Sequence, residues 1–180
     1  AMETYFGKPD DNNLSDDINE AVMRSVIRNI RILLTDNEDY DARSELMWAS
    51  SMAENGILKI GKITDFQCHQ IEHQLGAYTD CNHRQGLAVI HPVLYRHIYK
   101  DGVKRFARFA KNVWGIEDKR KDEETALAGV EALAEFIKEC GVFPFKNVFM
   151  PAKIKNMMSD KKDKYSCAHP FVCRLAPKLI

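Results

Sequence analysis

Apolar residues recur at helical intervals through the first 140 positions and nowhere alternate over a β-branched run of useful length, so the chain must fold as stacked helices. From Ser15 to about Thr35, Ile18, Val22, Val26, Ile30 and Leu34 return every fourth residue, with Ser15 or Asp16 as the natural N-cap. Asp41 to Asn55 reads as a second helix stopped by Gly56. Thr64-Asp65-Phe66-Gln67 has the form of a capping box, which opens a third helix to about Tyr78. Leu87 to Tyr99 is more evenly apolar and should be buried, with Pro92 kinking or restarting a helix. Val103, Phe106, Ala107, Ala110, Val113 and Trp114 form a helical stripe ending at Gly115, and Asp122 opens a last helix to Gly141. The expectation is an all-α bundle of about six helices over residues 1–140. The remainder, 141–180, has a lysine-rich stretch from Lys155 to Lys164 and no clear period.

Charge narrows the partners. Lys+Arg and Asp+Glu both number 26, so no one-signed field draws the chain to nucleic acid or anionic lipid, and a small, roughly neutral partner fits better. No apolar run approaches the ~20 residues of a membrane span. The five cysteines form no CxxC pair or regular framework, which points to reduced thiols and a cytoplasmic protein.

The residues that carry chemistry are three histidines. His69 and His73 stand four apart, on one face of the third helix, and His83 follows. Neutral imidazoles so placed can converge on one divalent ion. The spacing fits an exposed or hydrogen-bonded histidine pair equally well. A four-helix di-metal carboxylate protein would need paired ExxH motifs, and Glu72 and His73 are adjacent.

The letters around these histidines are more specific. Asp65-Phe66-Gln67-Cys68-His69-Gln70-Ile71-Glu72-His73-Gln74-Leu75-Gly76-Ala77, followed by Asn82-His83 and Gly86-Leu87-Ala88, resembles the second metal-binding motif of the iron-containing, group III alcohol dehydrogenases, in their butanol dehydrogenase-like branch. Asp41-Ala42-Arg43, Met47-Trp48-Ala49 and Asn55-Gly56 resemble the preceding helix of that family, and Met2-Glu3-Thr4-Tyr5 resembles its HxxExY segment. The resemblance implies that His69 and His83 are ligands of Fe(2+) or Zn(2+), and that His73 lies near nicotinamide and substrate as a proton relay. It implies NAD(P)-dependent interconversion of a primary alcohol and its aldehyde by the full-length enzyme, which forms dimers or larger assemblies. His91 and His97 match no family role and read as structural or surface residues.

The same resemblance marks departures. The family's first motif supplies an Asp and a His that would precede Ala1, and no Gly-rich phosphate loop occurs in these 180 residues, so the nucleotide-binding domain is expected to be absent and the chain to be a fragment, inactive alone. Arg84 stands where the family has Gly, at a place where the backbone is expected to turn tightly. The alternative expectation is a non-catalytic helical module that binds metal weakly or not at all and associates through apolar surface.

Overall fold

The computed structural model of the chain describes residues 1–8, 13–64, 66–117 and 121–142. The expectations placed on 143–180, Cys167 and Cys173 included, lie outside the described residues. In chain order the helices are α1 (Met2–Tyr5), α2 (Leu14–Thr35), α3 (Tyr40–Glu54), α4 (Gln67–Thr79), α5 (His83–Ile98), α6 (Val103–Trp114) and α7 (Asp122–Glu139). Six are long, as the periodicity predicts, and α1 is a single turn that no period announces. Among the described residues, the β pairing is one antiparallel bridge between Lys8 and Ile63. No helix there is long and apolar enough to cross a membrane.

Three local expectations are corrected. The N-cap of α2 is Asn13, whose Oδ1 accepts from the Asp16 amide at 3.0 Å; Ser15 instead donates to the Ile60 carbonyl at 2.8 Å, and Asp16 is buried in an ion pair. Thr64 does not cap α4: that helix begins at Gln67, after Phe66 in a left-handed conformation and without a cap from its own segment, while Asp65 lies outside the described residues. Pro92 neither stops nor restarts α5, which is continuous from His83 to Ile98. Pro92 offers no N–H to the Ala88 carbonyl, and one residue earlier the Leu87 carbonyl accepts from His91 Nδ1 at 2.7 Å. The helix ends are as expected: at Gly115, φ is +69°, and the Ile116 amide reaches back to the Ala110 carbonyl at 3.1 Å in a Schellman-type closure.

Apolar faces of α4, α5, α6 and α7 meet in one core containing Cys68, Ile71, Ile90, Leu94, Phe106, Val130 and Leu133. A smaller cluster, Tyr5, Met23, Phe109 and Val113, joins α1, α2 and α6. Burying side chains of this size contributes roughly 1.5–3 kcal/mol each. Phe6 links the two clusters, stacking on Phe106 with ring centres 4.3 Å apart and lying edge-on to Phe109 at 5.3 Å. Helices α6 and α7 touch backbone to backbone at Gly129, where an added Cβ would lie 2.7 Å from Ala110 Cβ and 2.9 Å from its Cα.

A buried ionic network ties the N-terminal segment into this packing. Arg105 donates to the Tyr5 carbonyl from Nε at 3.1 Å and from Nη2 at 2.5 Å, and to both oxygens of Asp16, with Nη1 to Oδ2 at 2.7 Å. Lys62 Nζ also donates to Asp16 Oδ1 at 2.9 Å, with both side chains inaccessible to solvent. The Tyr5 hydroxyl donates to Glu20 Oε1 at 2.9 Å, and Glu20 also accepts from Arg108 at 2.5 Å and Asn112 at 2.9 Å.

Burial alone would raise the Asp16 pKa, but hydrogen bonds and charge from Arg105 and Lys62 outweigh it and hold the carboxyl below its ordinary 3.8. The stability gained is fully present above the unfolded value and is lost as pH falls through the lower folded one. Asp16→Asn should therefore cost about 3–5 kcal/mol in urea unfolding at neutral pH, because it removes the buried negative charge that Arg105 and Lys62 share, and should flatten the loss of stability below about pH 4. Gly129→Val should destabilise by roughly 1–3 kcal/mol in the same measurement, because the backbones of α6 and α7 leave no room for the added atoms.

Candidate metal centre

His69 and His73 lie one turn apart on α4, and His83 is the first residue of α5. The link between these helices is short. Asp80 takes a left-handed conformation at φ 53°, and Asn82 caps α5 by accepting from the Arg84 amide at 3.1 Å and the Gln85 amide at 3.4 Å. This returns the chain so that His83 faces the histidines of α4. The ring centres are 5.4 Å apart for His69 and His83, 5.6 Å for His73 and His83, and 6.2 Å for His69 and His73. Two imidazoles sharing one tetrahedral ion at an ordinary metal–nitrogen distance have ring centres roughly 5 Å apart, and the His69–His83 pair is nearest to that. All three rings reach solvent, His69 at 35% side-chain exposure and His83 at 50%.

Each of the two outer rings is held from behind by a buried carboxylate. His69 Nδ1 bonds Glu3 Oε2, and His83 Nδ1 bonds Glu72 Oε2. A carboxylate only accepts, so each Nδ1 carries a hydrogen, and in the neutral ring Nε2 then keeps its lone pair. That is the tautomer in which a histidine ligates a metal through Nε2, so the donor chemistry fits a divalent ion. Glu3 Oε1 also accepts from the Cys68 amide at 2.6 Å. A negative charge thus sits at the N-terminus of α4, supplied by α1 in place of the expected capping box.

Two sets of donor atoms lie within 4.8 Å of one another among the described residues: Glu72, His73 and His83, partly exposed, and Glu3, Cys68 and His91, all buried. His91 belongs to the core: its Nδ1–H is spent on Leu87, and burial pushes its pKa below the usual imidazole range. His97 is on the surface, apart from these groups.

The backbone around the histidines is unusual in two respects. Phe66 and Asp80, the positive-φ non-glycine residues among those described, bracket α4 at both ends. Such conformations cost of order 1–3 kcal/mol each and persist where surrounding contacts impose them. Arg84, by contrast, occupies an ordinary helical position and is exposed, so no tight turn is made there. The glycine whose smallness is required is Gly86, where an added Cβ would lie 2.8 Å from Glu72 Cγ. Sequence reasoning noted Glu3 only within a matched segment and gave Glu72 no role; the signal available was a carboxylate directly before His73, facing a glycine on the next helix.

Comparison with known proteins supplies the family. The model of the Fe-containing alcohol dehydrogenase family, C-terminal, matches residues 1–163. The NADH-dependent butanol dehydrogenase A of Clostridium acetobutylicum is 36% identical over 142 residues, covering 78% of this chain and 36% of that protein. The crystal structure of NADH-dependent butanol dehydrogenase A from Thermotoga maritima superposes with a TM-score of 0.79 at 31% identity, covering 88% of this chain and 40% of that one. The substrate- and cofactor-free aldehyde reductase YqhD of Escherichia coli superposes with a TM-score of 0.74 at 30% identity, over 78% of this chain and 37% of that one. The chain thus spans well under half the length of these relatives. With an all-helical fold and a family match running over most of its length, the chain belongs to the Fe-containing alcohol dehydrogenase family and corresponds to its C-terminal part.

Proposed function

We propose that this chain is the metal-holding part of an NAD(P)-dependent alcohol dehydrogenase acting on a primary alcohol and its aldehyde, with His69 and His83 as ligands of a divalent ion and His73 as a proton relay. The observation that carries this reading is the convergence of His69 and His83, each fixed by a buried carboxylate in the tautomer that offers Nε2. The relatives' names, an NADH-dependent butanol dehydrogenase and an aldehyde reductase, support the substrate class and the nicotinamide cofactor.

Bound Fe(2+) or Zn(2+) would polarise the alcohol oxygen and lower its pKa. His73 does the proton work: it is exposed, its ring centre lies 5.6 Å from that of His83, and it can accept the alcohol proton and release it to solvent. The wall of the site comes from α4 and α5, and Glu3 of α1 and Glu72 of α4 keep the two ligand rings from turning. Two protein ligands make a weak site, since catalytic metals usually have three, so residues 1–140 form a helical half-site. This chain matches 36% and 37% of those two relatives, and nicotinamide binding is assigned to the length it does not cover. Arg84, exposed beside His83, adds a like charge that further weakens metal binding.

A second reading rests on one surface feature. Tyr40, Met47 and Trp48 are exposed at one side of α3, at 80%, 74% and 66%, and an apolar patch of this kind favours association of a non-catalytic helical module.

Elemental analysis of the purified chain after equilibration with zinc tests the first reading. It predicts bound metal that falls to background in the His69→Ala, His83→Ala double variant, with no reduction of butanal by NADH or NADPH in either protein. Metal retained undiminished by the double variant would remove the assignment. Concentration-dependent self-association without histidine-dependent metal would favour the second reading.

A further inference from the structure

The two carboxylates behind the histidines are buried more deeply than a surface hydrogen bond requires. Glu72 is 2% exposed and Glu3 is 7% exposed, on different segments, and each meets the Nδ1 of a different ring. Burying a carboxylate is unfavourable unless a partner repays the lost hydration. For Glu72 the packing is arranged around the side chain. An added Cβ would meet Glu72 Oε1 at 3.2 Å from Gly76 on α4, and Cγ at 2.8 Å and Oε1 at 2.9 Å from Gly86 on α5. Both glycines lie inside helices, where glycine weakens the helix. Two helices therefore give up stability at the places that leave room for one carboxylate. Glu3 is fixed from the other side, with Oε1 held by the Cys68 amide and its segment by the Arg105 clamp on Tyr5.

We infer that Glu72, housed by Gly76 and Gly86, and Glu3, delivered by α1, are positioning residues that set the tautomer and aim of His83 and His69 and so determine metal affinity. The inference rests on the reading of His69 and His83 as ligands. It gives the carboxylates no contact with the ion: they act through the imidazoles, which they hold in the Nδ1–H form with the second nitrogen available. It also gives Gly86 a reason, since an alanine there would push Glu72 off His83 without removing either group.

Cobalt titration of the full 180-residue chain, read by its visible absorption, separates the parts of this account. Glu72→Leu should weaken Co(2+) binding 10–100-fold, Glu72→Gln, which keeps a carbonyl acceptor, should recover part of that loss, and Gly86→Ala should weaken binding in the same direction. Glu3→Gln should weaken it through His69. A readout independent of metal is the long-range 1H–15N spectrum of the metal-free imidazoles at mildly alkaline pH. His83 should be in the Nδ1–H form in the parent and shift toward Nε2–H in Glu72→Leu, with unchanged far-UV circular dichroism.

If His83→Ala abolishes binding while both Glu72 variants bind as tightly as the parent, the ligand assignment stands and the positioning role falls. If Glu72→Leu abolishes binding as completely as His83→Ala and Glu72→Gln restores nothing, Glu72 is itself a ligand and the positioning role is again overturned. If His69→Ala and His83→Ala leave binding unchanged, the metal reading fails and this inference fails with it. If Glu72→Leu does not fold, the tautomer and affinity of Glu72→Gln decide between the first two outcomes.

Discussion

The guanidinium of Arg105 is the constraint on which the candidate site depends. It is 6% exposed, donates to the Tyr5 carbonyl and to both oxygens of Asp16, and lies over the Tyr5 ring at 3.8 Å from its centre. A buried cation with those partners fixes α1, a helix too short to hold itself, against α2 and α6. Tyr5 is sealed at its other end by Glu20, and burial pushes its phenol well above the usual range, so the hydroxyl stays a donor. Once Tyr5 is placed, Glu3 is two residues away and can reach only what lies beside it, the N-terminus of α4 and His69. An ion pair in the core is thereby linked, through Tyr5, Thr4 and Glu3, to the orientation of an imidazole at the surface.

The other imidazole is held by a different device. His83 depends on Glu72, whose side chain fills the space that a Cβ at Gly86 of α5 would need, and on a tight connection in which Asp80 accepts an unfavourable backbone conformation. Precision at His69 thus comes from electrostatics and at His83 from steric room. Both histidines remain open to solvent, at 35% and 50% side-chain exposure, which leaves room for the ion of the proposed metal site.

Much of this was legible in the sequence, for a definite reason. Helix positions follow from apolar period and terminating glycine, local signals that burial reinforces, which is why α2, α3, α6 and α7 lie where the spacing puts them. The histidines on one face of α4 follow from the same period. What local reading could not supply were interactions between distant segments. The true cap of α4 is Glu3, 65 residues from the Cys68 amide it accepts, so the nearer Thr64 was the natural but wrong choice. Asp16 looked like an N-cap because the ion pair that claims it lies 89 residues away at Arg105. Pro92 reads locally as a place where a helix kinks or restarts, and α5 runs through it without restarting because its burial is tertiary. Glu72 is ordinary as a letter and acquires meaning only once Gly86 is folded against it.

In the proposed site, His69 and His83 present Nε2 to one ion while the carboxylates stay behind the rings. X-ray absorption of the zinc-loaded chain tests it most directly. The account predicts a first shell of nitrogen and oxygen at ~2.0–2.1 Å, with outer-shell scattering from two imidazoles and no sulfur. A sulfur shell at ~2.3 Å, as a site built on Cys68 in the buried Glu3, Cys68 and His91 cluster would give, would contradict it.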